Sequence, residues 1–196
     1  MTRFQWPDPP INEITAEFAE GDLESREIRV QHAAFLHAEF GPPPDMILIG
    51  GIPAMFAINE LTQCFINGCY LATILTAQVF VEHTLGGDFR LAGDDKIVSG
   101  GLKKLIDESN RTHRITPVLA ARLHDLRIMR NPYTHPKRLM GPGSYMSRLI
   151  EKDAPRPEAL AEQDAREAIR IVVDFLREGS PSWRPGSAAE PENRSQ

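Results

Sequence analysis

An arginine and a histidine lie five residues apart near the middle of the chain, and together they have the chemistry to handle a phosphate group. Arg130 ends an apolar segment, and His135 follows in a turn bracketed by Pro132 and Pro136. Arginine is permanently charged and can bind two oxygens of an anion at once, while histidine gains and loses a proton near neutral pH. The pair therefore predicts a site where one residue holds a phosphodiester and the other moves a proton.

The reaction that such a pair would support is cleavage of RNA by transesterification. The ribose 2′-hydroxyl attacks the adjacent phosphorus, so the nucleophile is already in place and we expect neither a metal nor another cofactor. His135 would act as general base or general acid, and Arg130 would stabilise the negative charge that grows on the phosphoryl oxygens. The attack needs a base and the leaving 5′-oxygen needs an acid, but the motif supplies one histidine per chain. We therefore expect a homodimer in which two copies of the motif form one site.

The positive charge of the chain is concentrated around this motif. Residues 103–138 contain nine Lys and Arg residues against three Asp and Glu residues, a net charge of +6, although the whole chain has a net charge of −5. A local basic surface matters more to an anionic ligand than the total charge does. Arg127 belongs to this segment and would extend the anion-binding face of the motif helix. Ordinary solvated charge on two helices explains the same pattern equally well.

The elements that must position the motif are helices. Apolar residues recur at helical spacing and strand patterns are nearly absent, which predicts an all-α fold, an antiparallel bundle of four to five helices. Thr116 and Pro117 form an N-cap and first-turn pair for the motif helix. Gly86 and Gly87 should end the longest helix. The expected helices cover 22–40, 59–85, 96–109, 117–130 and 157–178.

The expected organisation is one helical domain with an extension at each end. Residues 1–21 are acidic and rich in proline and form an N-terminal extension, residues 22–178 form the domain, and residues 179–196 have the polar composition of a disordered tail. A loop is expected from Gly86 to Asp95. No apolar segment is long enough to span a bilayer, no signal peptide is evident and the two cysteines show no disulfide pattern, so we expect a cytoplasmic protein.

Two histidines of the first helix are expected at the surface. His32 and His37 are five residues apart, not the four that would bring both rings to one side of a helix. Asp22 is the expected N-cap of this helix, with Leu23 and Ile28 on its apolar side. The sequence therefore predicts no metal site here.

The segment from about residue 59 to residue 178 resembles the HEPN superfamily of helical RNases and nucleotide-binding domains. Its Arg130 and His135 match the arginine and histidine that this family separates by four to six residues, and they are the implied catalytic residues. The small-residue helix around 67–85 and the helices that follow it are similar to those of the family in type and order.

The resemblance also implies supporting residues. Asn131 stands where family members carry a small polar residue. Glu82 stands where many members keep an acidic residue that orients the arginine. Tyr133, inside the motif, and Arg127, one turn before it, complete the set of supporting candidates.

The implied function is a metal-independent endoribonuclease, an activity used in defence or stress response. The alternative is a non-catalytic HEPN-like module that binds a nucleotide or a protein partner, because some members of the family have no nuclease activity. A third explanation gives the motif only a capping role at the helix end. Pro132 and Pro136 depart from the family pattern, and they either stiffen the turn in a productive geometry or hold His135 away from Arg130.

Overall fold

The described part of the chain is entirely helical. A computed structural model describes residues 11–41 and 50–179, and these ranges contain no strand. The helices are α1 (Ile11–Phe40), α2 (Gly51–Ile66), α3 (Tyr70–Leu91), α4 (Asp95–Val98), α5 (Gly101–Arg111), α6 (Pro117–Met129), α7 (Asn131–Thr134), α8 (Tyr145–Glu151) and α9 (Pro157–Asp174), and α9 continues into a π-helical turn over Phe175–Gly179. The predicted all-α class is confirmed. The described ranges hold nine α-helical segments, however, and not four to five.

The hydrophobic core surrounds α3. This helix is in contact with α2, α9, α5, α4 and α6. Phe80 and Phe89 of α3 are fully buried, as is Phe65 of α2. Phe175 of the π-helical turn meets Phe80 edge to face, with 6.2 Å between the ring centroids. Burial of large apolar side chains from several helices against α3 is the main source of stability for such a fold.

Three predictions for the first helix are wrong. α1 begins at Ile11 and not at Asp22, because residues 11–20 contain no proline or glycine and half of them are alanine or glutamate, which favour helices. Leu23 and Ile28, expected to face inward, are exposed. His32, expected at the surface, is fully buried, and its Nδ1 lies 3.2 Å from the carbonyl oxygen of Ile66.

The predicted helix over 59–85 is also wrong in its limits. The chain turns at 67–69 between α2 and α3, where Gly68 has a φ of +72°, a conformation that favours glycine. α3 then continues through Gly86 and Gly87, both buried, and ends at Leu91, so the predicted loop from Gly86 to Asp95 shrinks to 92–94. A Cβ on Gly86 would lie 3.5 Å from Cγ1 of Val98 in α4, an ordinary van der Waals distance. The two glycines lie inside the helix and do not terminate it.

The motif helix agrees better with its prediction. Thr116 is the N-cap of α6, and its Oγ1 accepts a hydrogen bond of 3.1 Å from the amide of Leu119. Leu119, Leu123 and Leu126 are buried as expected, whereas Val118 is exposed. The last helix begins at Pro157 as expected. Residues 1–10 of the predicted extension and residues 180–196 of the predicted tail lie outside the described residues.

None of the described helices combines the length and the apolar character that crossing a lipid bilayer requires.

Candidate functional site

The motif occupies a tight turn at the C-terminal end of α6. Arg130 caps α6 in a helical conformation, Pro132 lies in the first turn of α7, and His135 follows α7 in an extended conformation. The amide of Tyr133 donates to the carbonyl of Arg130 at 3.0 Å, and the amide of His135 donates to the carbonyl of Asn131 at 3.0 Å. Pro132 lies in the first turn of α7, where the backbone amide of a helix has no hydrogen-bond partner, so its missing N–H costs nothing. Asn131 is helical, although the residue before a proline is usually extended.

Arg130 lies on the buried side of α6. It follows Leu126 by four residues and Leu123 by seven, so all three lie on one face of the helix. Its Nε is buried and has no hydrogen-bond partner, and the same is true of the Nε of Arg127, one turn earlier. The apolar stripe of α6 thus ends in two guanidinium groups that pair with no carboxylate among residues 11–41 and 50–179.

This lack of a partner separates the two residues from the other partly buried arginines. Within 11–41 and 50–179, five further arginines are partly buried, and each pairs with a carboxylate: Arg29, Arg114, Arg122, Arg148 and Arg166. No described carboxylate lies within 4.0 Å of the side-chain nitrogens of Arg127 or Arg130, as the full set of pairs in these ranges shows. A buried donor without a partner costs free energy.

His135 is exposed to solvent. Its ring makes no hydrogen bond with any described residue, while its backbone is held by the turn. An exposed imidazole without a partner is free to contact a ligand or a second protein chain. The structure thus places Arg130, Tyr133 and His135 in one hydrogen-bonded turn.

Glu82 does not contact Arg130. Gln78 Nε2 donates to the carbonyl of Leu126 at 2.8 Å, and Asp88 pairs with Arg114 at 2.5 Å. The later residue of α3 thus meets the earlier residue of the 114–126 segment, so α3 and α6 run in opposite directions at this contact. Glu82 and Arg130 therefore lie on opposite sides of the Gln78 contact, about 12 Å apart along the helix axes at 1.5 Å per residue. No ion pair joins them in the described residues. The implied orienting role of Glu82 has no geometric support here.

A buried carboxylate that the sequence analysis missed anchors the motif turn. Asp164 of α9 is only 1% exposed. Its Oδ2 accepts a hydrogen bond of 2.8 Å from the hydroxyl of Tyr133. Both of its oxygens accept from Arg148 of α8 at 2.7 Å, and Lys152 Nζ lies 3.5 Å from Oδ1. One carboxylate thus holds the motif turn and α8 together, and two cations surround it.

The surroundings of this carboxylate shift the pKa values of its partners. Burial, together with the negative charge of Asp164, raises the pKa of the Tyr133 hydroxyl well above its usual range. Burial opposes the charge of Arg148, but the hydrogen bonds and the charge of Asp164 outweigh it and raise the pKa of the guanidinium. Tyr133 consequently acts as a neutral hydrogen-bond donor. It orients the turn and is unsuited to proton transfer.

A cavity of about 230 Å³ lies beside the motif turn. Its walls come from α6, α7, α8 and the segment between the last two. They are formed by Asp125, Ile128, Met129, Pro132, Lys137, Gly143 and Arg148. Pro132 and Lys137 bracket His135 in the chain, so the cavity adjoins the segment that carries the histidine. Its lining combines apolar side chains with the charged side chains of Asp125, Lys137 and Arg148.

The sequence contained a signal for Asp164 that was not used. Asp164 lies four residues after Leu160 and four before Ala168, both fully buried, so it interrupts the apolar stripe of α9. A carboxylate in such a position must find partners on other elements. Arg148, in a short helix without a clear apolar stripe, gave no comparable signal.

The described residues contain no group of three or more His, Cys, Asp and Glu side chains arranged to hold a metal ion. Comparisons of the chain with protein-family models, with curated proteins and with solved structures found no match.

Proposed function

We propose that this protein is a metal-independent endoribonuclease of the HEPN type, with Arg130 and His135 as catalytic residues and RNA as substrate. The observation that carries the proposal is that Arg127 and Arg130 are partly buried and pair with no described carboxylate, in the segment that leads to the exposed His135. A phosphate is the anion whose oxygens suit a guanidinium pair. Asn131 and Tyr133 support the site as parts of the same turn.

The proposed reaction uses only the 2′-hydroxyl of the RNA and the side chains of the motif turn. The 2′-oxygen forms a bond to phosphorus while the bond from phosphorus to the 5′-oxygen breaks. A base removes the proton of the 2′-hydroxyl, and an acid delivers a proton to the leaving oxygen. Arg130 stabilises the charge on the phosphoryl oxygens in the transition state. The products are a 2′,3′-cyclic phosphate and a 5′-hydroxyl end.

We propose further that the active form is a homodimer, because the reaction needs both an acid and a base. A second copy of His135 would supply the missing group. The surface around the motif offers apolar area for such contact. The exposed large apolar side chains of this region are Ile128, Leu139, Met140, Met146 and Ile150. Methionine and leucine side chains of this kind pack adaptably at interfaces.

We propose in addition that the helices form an antiparallel bundle and that the protein is located in the cytoplasm. The opposite residue order of the contacts between α3 and α6 supports the arrangement of helices. Cys64 and Cys69 are both free thiols and Cys69 is exposed, which is typical of a reducing compartment.

The test of the function is incubation of single-stranded RNA with the purified protein in EDTA, followed by analysis of the ends. Cleavage with 2′,3′-cyclic phosphate ends is expected, and it should be lost in Arg130→Ala and in His135→Ala. Arg26→Ala and His37→Ala are matched controls, because each removes the same type of side chain from an exposed position in α1, outside the basic segment 103–138. Cleavage only after addition of a divalent metal would contradict the proposed chemistry.

A second candidate is a module that binds a nucleotide without cleaving RNA. The cavity beside the motif turn, with Lys137 and Arg148 in its wall, favours it. In that case RNA stays intact during long incubation, and His135→Ala binds a nucleotide as tightly as the unmodified protein. Loss of nucleotide binding in Arg130→Ala alone would then identify the anion site. A module of this kind would act through a protein partner.

A further inference from the structure

Asp164 holds the motif turn through one side-chain contact. Within the turn, all hydrogen bonds of the backbone are local, from Tyr133, Thr134 and His135 back to Arg130 and Asn131. Among the described residues, the hydroxyl of Tyr133 makes the one side-chain hydrogen bond that joins 130–135 to another helix.

The strength of this contact follows from burial and charge. Asp164 is almost fully buried, and it accepts hydrogen bonds from Tyr133 and from both Nη atoms of Arg148. A buried carboxylate with several donors is held in one position, because any movement leaves a buried charge without a partner. The ring of Tyr133 also packs edge to face on Tyr145, with 5.1 Å between the centroids.

We infer that Asp164 is the positioning residue of the site and acts through Tyr133. It sets the location of His135 relative to Arg130, and through Arg148 it sets the wall of the adjoining cavity. The catalytic consequence rests on the proposed function, whereas the positioning itself does not need RNA to be observed.

The decisive variant is Tyr133→Phe, which removes the hydroxyl and keeps the ring that packs on Tyr145. The matched control is Tyr70→Phe. The hydroxyl of Tyr70 donates to Glu162 at 3.3 Å, so the control removes a hydroxyl-to-carboxylate bond on the same helix, α9, but outside the motif turn. Amide hydrogen exchange and the nuclear magnetic resonance signals of the His135 ring report on the turn directly.

In Tyr133→Phe, the His135 amide is expected to exchange about tenfold faster, with a shifted ring signal, because the turn opens locally. Tyr70→Phe should leave both unchanged. In the nuclease assay, kcat should fall by about tenfold to a hundredfold in Tyr133→Phe, because misplacement of a reacting group affects chemistry strongly, while KM changes little.

Unchanged exchange and ring signals in Tyr133→Phe, or an equal response in Tyr70→Phe, would overturn the inference even if the protein cleaves RNA. Faster exchange in Tyr133→Phe alone, in a protein that does not cleave RNA, would support the positioning role and refute the proposed function.

Discussion

Replacing Arg130 by methionine should stabilise the protein when no ligand is bound. Its buried Nε has no hydrogen-bond partner, and a buried unsatisfied donor costs about 1–3 kcal/mol. Methionine has a similar length and no donor. The lost interaction of the positive charge with the C-terminal end of α6 offsets about 0.3–1 kcal/mol of this gain. The expected net effect is an increase of about 1 kcal/mol in the free energy of unfolding.

The matched control is Arg122→Met on the same helix. Arg122 pairs with Glu167 at 2.8 Å and also with Asp174, and all three side chains are partly exposed. Breaking these screened pairs should cost about 1 kcal/mol. The two variants should therefore differ by about 2 kcal/mol, which for a domain of this size separates their melting temperatures by roughly 4–8 °C.

The assay is thermal unfolding of the three proteins, with and without a 3′-nucleotide. The nucleotide should raise the melting temperature of the unmodified protein and of Arg122→Met, because a ligand at 100 times its Kd contributes about 2.7 kcal/mol. Arg130→Met should gain almost nothing. A melting temperature of Arg130→Met as low as that of Arg122→Met without ligand would refute the reasoning, since Arg130 would then be satisfied within the protein.

Three further predictions follow from single features of the structure. Gly86→Ala should stabilise the protein by about 0.5–1 kcal/mol in urea unfolding, because a Cβ there meets only ordinary contacts inside α3; destabilisation would show that the helix packs more closely. Burial raises the pKa of all three tyrosines, that of Tyr70 to about 12. Above about pH 10, the tyrosine hydroxyls of the unfolded chain lose their protons, whereas those of the folded protein keep them. Stability should fall as the pH rises through this range, and at about pH 10.5 the native protein should show less tyrosinate absorbance than the unfolded chain; equal absorbance would contradict the burial. Mixtures of Arg130→Ala and His135→Ala chains should be at most partly active, and full activity of a strictly monomeric preparation would exclude a shared site.

The sequence predicted the fold class and the motif helix because both depend on local patterns. The spacing of Leu119, Leu123 and Leu126 and the pair Thr116-Pro117 act within one helix, and the structure confirms them. Gly86 was misjudged because glycine often ends a helix but is also tolerated inside one. The tertiary contacts of α3 decide between the two, and no local pattern contains them.

Long-range polar contacts account for the other differences. His32 looked like a surface residue because its partners, Ile66 and Tyr70, lie more than 30 residues away in the chain. Asp164 was missed for the same reason, since it meets Tyr133 and Arg148 only after folding. A buried polar group can be recognised from its place in an apolar stripe, but its partners cannot.

The most direct test of the central claim is RNA cleavage in EDTA by the unmodified protein beside Arg130→Met. Arg130→Met is expected to be folded and at least as stable, so a loss of activity cannot come from unfolding. The proposed function predicts 2′,3′-cyclic phosphate ends with the unmodified protein and intact RNA with the variant. Equal cleavage by both proteins, or none by either, would contradict it.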